Sequence, residues 1–383
     1  MTPRESAGFI IQLYTPSFAP YNPTARPLGE FRAERYRHTI TVGKGFDEAE
    51  MGAVCAGNDA QWLLSYGCGA HAVVRDEAST LIWEGRVNNV ALQSGGYRVS
   101  RGPLTEMANR VYVNYQLSDP TTNEAQEAKR TAAGNNTDSQ ARYGIQIREL
   151  NGGDIPTAQA NQIRGAFLTY NAWPRMPKSL AMEGQDSSVA LSCLGYAHWL
   201  NFPYRLVNVT STVTVTAKLT ALLAAEPNGF FGGANQLATN ALTVAQAEEK
   251  WRNAAEIISD VVSLGDASFQ RYMFGVWADR VVRYEAAPTR VEYLQQINGI
   301  RQDVTDLAGN TVRPWAVLPG RWVQFPAVLP GALLTQDIPA STEAPNQMFI
   351  ERVEYTSPGG LTLQGGLVSS FRQQLAQWGI TGL

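Results

Sequence analysis

Cysteine and histidine are scarce in this chain, with three of each among 383 residues. Cys55, Cys68 and Cys193 stand far apart, odd in number and without a CxxC pair, which argues against a disulfide framework or a structural zinc site. They read as buried small hydrophobes among small or apolar neighbours. His38, His71 and His198 are isolated in strand-like contexts, and with no HExxH spacing each reads as a structural histidine. A basic excess is lacking too. Lys and Arg total 31 against 34 Asp and Glu, the net charge is −3 and no basic run occurs, so a surface that grips nucleic acid or an anionic membrane is not expected. Long hydrophobic runs are also missing: the longest uncharged stretches, 187–204 and 227–247, are broken by polar residues, Gly or Pro and are not expected to cross a bilayer. Gly8-Phe9-Ile10-Ile11 is too short for the apolar core of a signal peptide, so a soluble protein made without export is expected.

What is present points to β structure. The chain is 44% apolar and 10% aromatic, which argues against disorder, and its 34 Gly and 20 Pro supply many turns. At roughly 100–200 residues per domain, two or three domains are expected. Pro16, Pro20, Pro23 and Pro27 bias residues up to about 45 toward an extended arm that leads into a strand at His38-Thr39-Ile40-Thr41-Val42. From 61 to 115 the pattern is strand after strand, with Trp83-Glu84-Gly85-Arg86-Val87 read as half-buried and Gly95-Gly96 as a turn. Residues 118–138 read as an exposed loop, and Arg142-Tyr143-Gly144-Ile145 as the next strand. Pro156 opens a helix with Ala160, Ile163 and Phe167 on one face, which stops before Pro174.

A second β-rich block spans 180–213, followed by a helix over 218–225 and a Gly- and Asn-rich loop over 228–240. Thr243 and Gln246 form a capping-box pattern that predicts a helix over 244–264, ended by Gly265. A hairpin over 269–285, a β-rich tail and a final helix over 367–378 complete the pattern. Val90-Ala91-Leu92 with Gly96-Tyr97 recurs as Val189-Ala190-Leu191 with Gly195-Tyr196, which fits chance or the remnant of two related β domains.

No catalytic constellation stands out. Gly67-Cys68-Gly69-Ala70-His71 looks like a phosphate loop but lacks the third Gly and leads into a strand, whereas a phosphate loop must open a helix. There is no GxSxG elbow. Carboxylates cluster at Asp47-Glu48 with Glu50, at Glu248-Glu249 and at Asp303 with Asp306. Nothing in the spacing sets two of these across a cleft as a glycosidase needs. Glu248 and Glu249 read as helix-start acids and Asp303 and Asp306 as turn residues. Trp83, Trp251 and Trp277 fall in amphipathic patterns and read as core or interface.

One segment carries a resemblance. Ser139-Gln140-Ala141-Arg142-Tyr143-Gly144-Ile145, followed by Asp154-Ile155-Pro156 and the helix with Ala158, Ala160, Phe167 and Leu168, resembles the "Ser, two residues, Arg-Tyr-Gly" unit of phage tail-tip and baseplate hub proteins. That group includes the amino-terminal module of siphovirus tail-associated proteins and the hub of contractile tails. Trp83-Glu84-Gly85-Arg86-Val87 and Asn109-Arg110-Val111-Tyr112-Val113-Asn114-Tyr115 look like the strands upstream of it. Leu191-Ser192-Cys193-Leu194-Gly195-Tyr196 looks like the start of a second barrel. Pro314-Trp315-Ala316-Val317-Leu318-Pro319-Gly320 and Phe349-Ile350-Glu351-Arg352-Val353-Glu354-Tyr355 look like closing strands.

The resemblance implies an α+β, mainly β fold with two tail-tube-like β-barrels plus helical and smaller β insertions. The expected division is an arm (1–35), a first barrel-like region (36–150), a helix and the start of a second barrel (151–213), a helical region (214–266) and a closing region with a terminal helix (267–383). It further implies a homotrimer forming a pseudo-sixfold ring around a DNA channel. Its partners would be the tail tube or a distal tail protein on one side and a central spike or fibre on the other, with no specific nucleic-acid binding and no stable membrane insertion. The protein would sit in the virion tail, assembled in the host cytoplasm. No cofactor, metal or catalytic residue is implied, and a stand-alone structural protein without lytic activity is expected. The rivals are a cell-wall-degrading enzyme and a glycan-binding tail protein.

Overall fold

The computed structural model describes residues 8–15, 29–54, 57–117, 128–180, 188–206, 209–231, 233–246, 249–268, 270–298, 301–325, 347–357 and 360–365. The fold is α+β and mainly β. The first strands are β1 (Phe9–Tyr14), β2 (Gly29–Ala33), β3 (Arg35–Thr41), β4 (Gly45–Ala53), β5 (His71–Arg75), β6 (Leu81–Ser94) and β7 (Tyr97–Arg101). Between β4 and β5 lie helix α1 (Gly57–Trp62) and a π-helical turn (Leu63–Gly67), where the sequence pattern suggests strand.

β6 organises this part of the molecule. Fourteen extended residues span about 45 Å, long enough for two partners in succession. β5 pairs with its first half (Val74 opposite Trp83), and β7 pairs with its second (Leu92 opposite Val99) across the Gly95-Gly96 turn. Residues 82–88 are buried throughout, not alternately, so Glu84 and Arg86 lie inside. A strand covered on both faces cannot show the period-two pattern that reads as half-buried.

The middle of the chain adds β8 (Arg110–Gln116), helix α2 (Thr137–Tyr143), β9 (Ile147–Asp154) parallel to β8, and helix α3 (Thr157–Asn171). α2 takes in Arg142 and Tyr143, expected in a strand. Asn136 caps it by accepting from the Ser139 N–H, and Gly144 at φ 72° ends it. Within 128–138, Lys129–Arg130 and Gly134–Asn135 are short strands against β8, so this part of the expected loop is structured. α3 lies within the expected span and buries Ala160 against Val113 and Tyr115. Next come β10 (Lys178–Leu180), paired with β7, and β11 (Ser188–Leu194).

β11 sits between β4 and β6: Leu191 faces Met51 on one side and Val90 on the other. The two copies of the Val-Ala-Leu repeat are therefore antiparallel neighbours, with Ala190 opposite Ala91. Gly96 belongs to a hairpin turn and Gly195 opens a 3-10 turn, so the two glycines do different work. The segment expected to begin a second barrel thus shares a sheet with β4 and β6. Phe9–Tyr14, inside the expected arm, pairs with both β2 and β5.

The pairings run β2–β1–β5–β6–β11–β4–β3, and β2 and β3 follow one another across Glu34 alone. β2 and β3 are not paired with one another among the described residues. One buried cluster draws on these strands and on the helices beside them, with Phe9, Ile11, Leu13, Tyr36, Met51 and Trp83 among its members.

Helix α4 (Val215–Ala224) matches its pattern, whereas α5 spans Ala254–Ser263 and begins about ten residues later than expected. Residues Thr243–Ala245 and Glu249–Asn253 form strands instead, paired with Thr212–Thr214 and Pro203–Leu206. The working capping box is Asn253 with Glu256, and Gly265 at φ 67° ends the helix as expected. β12 (Tyr272–Val276) and β13 (Val282–Ala286) form the expected hairpin. The last strands are β14 (Val291–Asn298), β15 (Arg301–Asp306), β16 (Trp322–Gln324), β17 (Gln347–Ser357) and β18 (Gly360–Gly365), which share a small core of Val304, Val317, Val323, Ile350 and Val353. β17 also pairs with β3, Tyr355 opposite His38. The expected helix over 367–378 and most of the proline-rich stretch up to residue 28 lie outside the described residues, as does Cys55.

Candidate functional site

Two places concentrate side chains that ordinary packing does not require. The first is a polar junction under β5 and β6. His71 Nδ1 lies 2.7 Å from the Tyr196 hydroxyl, and His71 Nε2 lies 3.9 Å from Glu84 Oε1. Glu84 Oε2 accepts the Asp279 N–H at 2.8 Å, tying β6 to the β12–β13 turn, where Asp279 and Arg280 adopt positive φ. The Arg86 guanidinium donates to the carbonyls of Gly69 and Tyr143 at 3.2–3.3 Å and lies over the Trp199 and Phe230 rings. Arg280 covers Tyr196 at 5.4 Å. Burial pushes the His71 imidazole down to about 3, helped by Arg280 and Arg86, and pushes the Glu84 carboxyl up to about 7. A neutral histidine and an acid half-protonated near pH 7 fit a sealed structural junction that fastens these segments together.

The second polar group is at the end of β4. A bulge at Asp47, between the pairs Thr39–Glu48 and Ile40–Phe46, turns its carboxylate toward the 3-10 turn Tyr196–Leu200. Asp47 Oδ1 accepts from His198 Nε2 at 2.7 Å and from Lys44 Nζ at 2.9 Å. Burial raises the Asp47 carboxyl, but its bonds to His198 and Lys44 outweigh this and hold it below the usual carboxylate range. Asp47, Glu48 and His198 bring ligand atoms within 4.8 Å of one another, the spacing of a cation site. The Lys44 ammonium already neutralises the central carboxylate. The pairing of Asp47 with His198 spans 151 positions in the sequence, so no local motif announces it.

The other candidates are dispersed. His38 is buried on β3 with Nδ1 3.0 Å from the Tyr36 hydroxyl, and burial pushes its pKa down to about 3. Glu249, expected to favour a helix dipole, is buried in a strand and accepts from Lys218 Nζ at 2.9 Å. Asp306 holds the Gly309-Asn310 turn by accepting from both nitrogens of Asn310, as expected, and Asp303 lies on β15. Gly67–His71 leads into β5 as expected, not into a helix. Cys68 and Cys193 are buried free thiols, and burial raises Cys68 to about 12. Trp83 is core, and Trp277 is half-buried with its ring 5.6 Å from that of Phe46.

Among the described residues the surface carries an apolar strip. Tyr66, Tyr97, Tyr170, Trp173, Met176 and Leu180 are exposed, and the pairings place them in one region. Tyr97 faces Leu180 across β7 and β10. Trp173 meets Tyr143 edge-on at 6.0 Å, and the Arg142 guanidinium bridges the Tyr143 and Tyr66 rings. An open groove of about 500 Å³ beside the strip is lined by Gly102, Pro103, Glu106, Arg175, Met176 and Pro177. Exposed strips of this kind, flanked by cations, mark interaction surfaces more than chemistry. No hydropathy pattern reveals it, because its residues come from α3, β7, β10 and two turns.

No helix among the described residues is long and apolar enough to cross a membrane. No family model matches the sequence and no curated protein matches it. Among solved structures, the chain is similar to the tail protein from Neisseria meningitidis MC58, with 10% identity over 95% of this chain and 98% of that one and a TM-score of 0.42. It is also similar to the prophage MuSo2 43 kDa tail protein from Shewanella oneidensis, with 8% identity over 92% of this chain and 95% of that one and a TM-score of 0.38.

Proposed function

We propose that this chain is a structural component of a phage tail, a tail-tip or baseplate hub whose three copies form a ring around the DNA channel. It joins the tail tube or a distal tail protein to a central spike or fibre, and it has no catalytic role. In this reading the circuit of β1–β6 with β11 is one tube-like barrel, and the strands around Val304, Val323 and Val353 belong to the other.

The observation that carries the reading is the strand ladder. β10–β7–β6–β11–β4–β3–β17–β18 is one continuous antiparallel sequence of pairings. Both terminal strands keep an uncovered edge among the described residues, and one of them carries the apolar strip. Uncovered edges can pair with another chain, and cyclic assembly covers them. The Arg-Tyr-Gly unit of the sequence resemblance supports the same reading. The low basic content suits a conduit through which DNA must slide without gripping phosphate.

Mass photometry at micromolar concentration tests it, with trimers expected and threefold rings by electron microscopy. A stable monomer refutes the ring. Zymography on peptidoglycan is expected to show no clearing, and clearing lost on substitution of a single carboxylate refutes the non-catalytic role.

A further inference from the structure

We infer that neighbouring copies join head to tail, the β10 edge and apolar strip of one copy lying against the β18 edge of the next. This inference rests on the ring reading above and adds to it which surfaces meet.

β10 is three residues long and exposed throughout, and it pairs only with β7 among the described residues. Leu180 is 77% exposed at its end. At the opposite end of the ladder β18 pairs only with β17 among the described residues. Its six residues, Gly360 to Gly365, include no charged residue and no proline. Soluble edge strands are normally guarded by short length, lysine, proline or a bulge. β10 is short and carries Lys178, whereas β18 carries neither lysine nor proline, and the irregularity in its pairing lies on β17 at Glu351.

Charge selects between the ways of covering these edges. Arg98, Arg175 and Lys178 are exposed around β10, with Glu106 the acid lining the adjoining groove. Pairing β10 with its own twofold mate would bring these cations face to face, which is unfavourable. β18 offers an uncharged edge to the same cations and so carries no such penalty. One kind of contact then covers both ends of every ladder. Because the two surfaces differ, it repeats around an axis until it closes instead of stopping at a dimer.

The test uses the full-length chain. Leu180→Glu sets a charge in the contact and is expected to raise the trimer dissociation constant at least tenfold by mass photometry. Leu307→Glu, at a 64% exposed leucine in the turn after β15, is the control and is expected to leave it unchanged. p-Benzoyl-phenylalanine placed at position 180 is expected to cross-link between copies into residues 360–365, read by mass spectrometry. The cross-link decides the matter even where Leu180→Glu fails to fold. A wild-type monomer overturns both this contact and the ring. A wild-type trimer that tolerates Leu180→Glu, or that cross-links outside 360–365 or not at all, overturns this contact and leaves the ring standing.

Discussion

Acid should weaken this protein chiefly through one imidazole. His38 is fully buried on β3, its Nδ1 beside the Tyr36 hydroxyl, and its pKa lies near 3 against an ordinary 6.5. The lowered folded value means that its contribution to stability is whole above pH 6.5 and is lost as pH falls from there toward 3. Between pH 7 and 5 the unfolded chain takes up nearly one proton at this site and the folded chain almost none, a loss of about 2 kcal/mol. His71, also near 3, loses about the same over that window. Glu84 acts oppositely. Its folded pKa of about 7 is raised, so across this window the folded chain binds more proton than the unfolded chain, and stability rises by about 2 kcal/mol as pH falls from 7 to 5. His71 and Glu84 therefore offset one another, and His38 sets the net loss. His38→Phe should lower stability at pH 7 by about 1 kcal/mol through the lost Tyr36 contact. It should also abolish the roughly 2 kcal/mol acid loss, so that at pH 5 the variant is about 1 kcal/mol more stable than wild type. Urea titrations followed by Trp fluorescence at pH 7 and pH 5 measure this. An unchanged acid loss in His38→Phe refutes the reasoning.

Glu84→Gln keeps an acceptor for the Asp279 N–H but cannot titrate, so the same titrations should show it losing about 2 kcal/mol more than wild type between pH 7 and 5. Lys218→Met takes the ammonium partner from the buried Glu249 and leaves it Arg252 at 3.6 Å, so it should cost about 2–3 kcal/mol, whereas Lys218→Met with Glu249→Leu should recover most of it; thermal melts of the three proteins compare them. Gly195→Ala would drive a Cβ into the Phe46 carbonyl oxygen, so the expected result is loss of soluble folded protein on expression. Asn253→Ala removes the cap of α5 and should lower stability by about 1 kcal/mol in denaturant titration.

The sequence was most legible where local rules act alone. The β12–β13 hairpin, α3 between Pro156 and Pro174, the Gly265 stop and the Asp306 turn follow from turn and cap chemistry. It misled where two signals compete locally. Thr243 and Gln246 make a plausible capping box, yet ten residues later Asn253 and Glu256 make another, and the burial of Glu249 on Lys218 holds the intervening residues in a strand. Arg142-Tyr143-Gly144 looks extended because Tyr favours strands, but the Asn136 cap and the contact of Tyr143 beneath Trp173 select a helix. The candidate surface was hardest to see. Its six exposed apolar side chains are scattered between residues 66 and 180, and only the β7–β10 pairing and the end of α3 gather them. The Asp47–His198 bond escaped for the same reason: a bulge on one strand aims at a turn far along the chain.

The length of β6 has a mechanical consequence. Tension along its axis loads the rows of N–H···O=C bonds to β5, β7 and β11 in shear, so many must rupture together before it slides. A pull across the three-residue β10 would instead unzip it one bond after another. Force transmitted along the long strand would meet a stiff spar, while the molecule's compliance would reside at its margins.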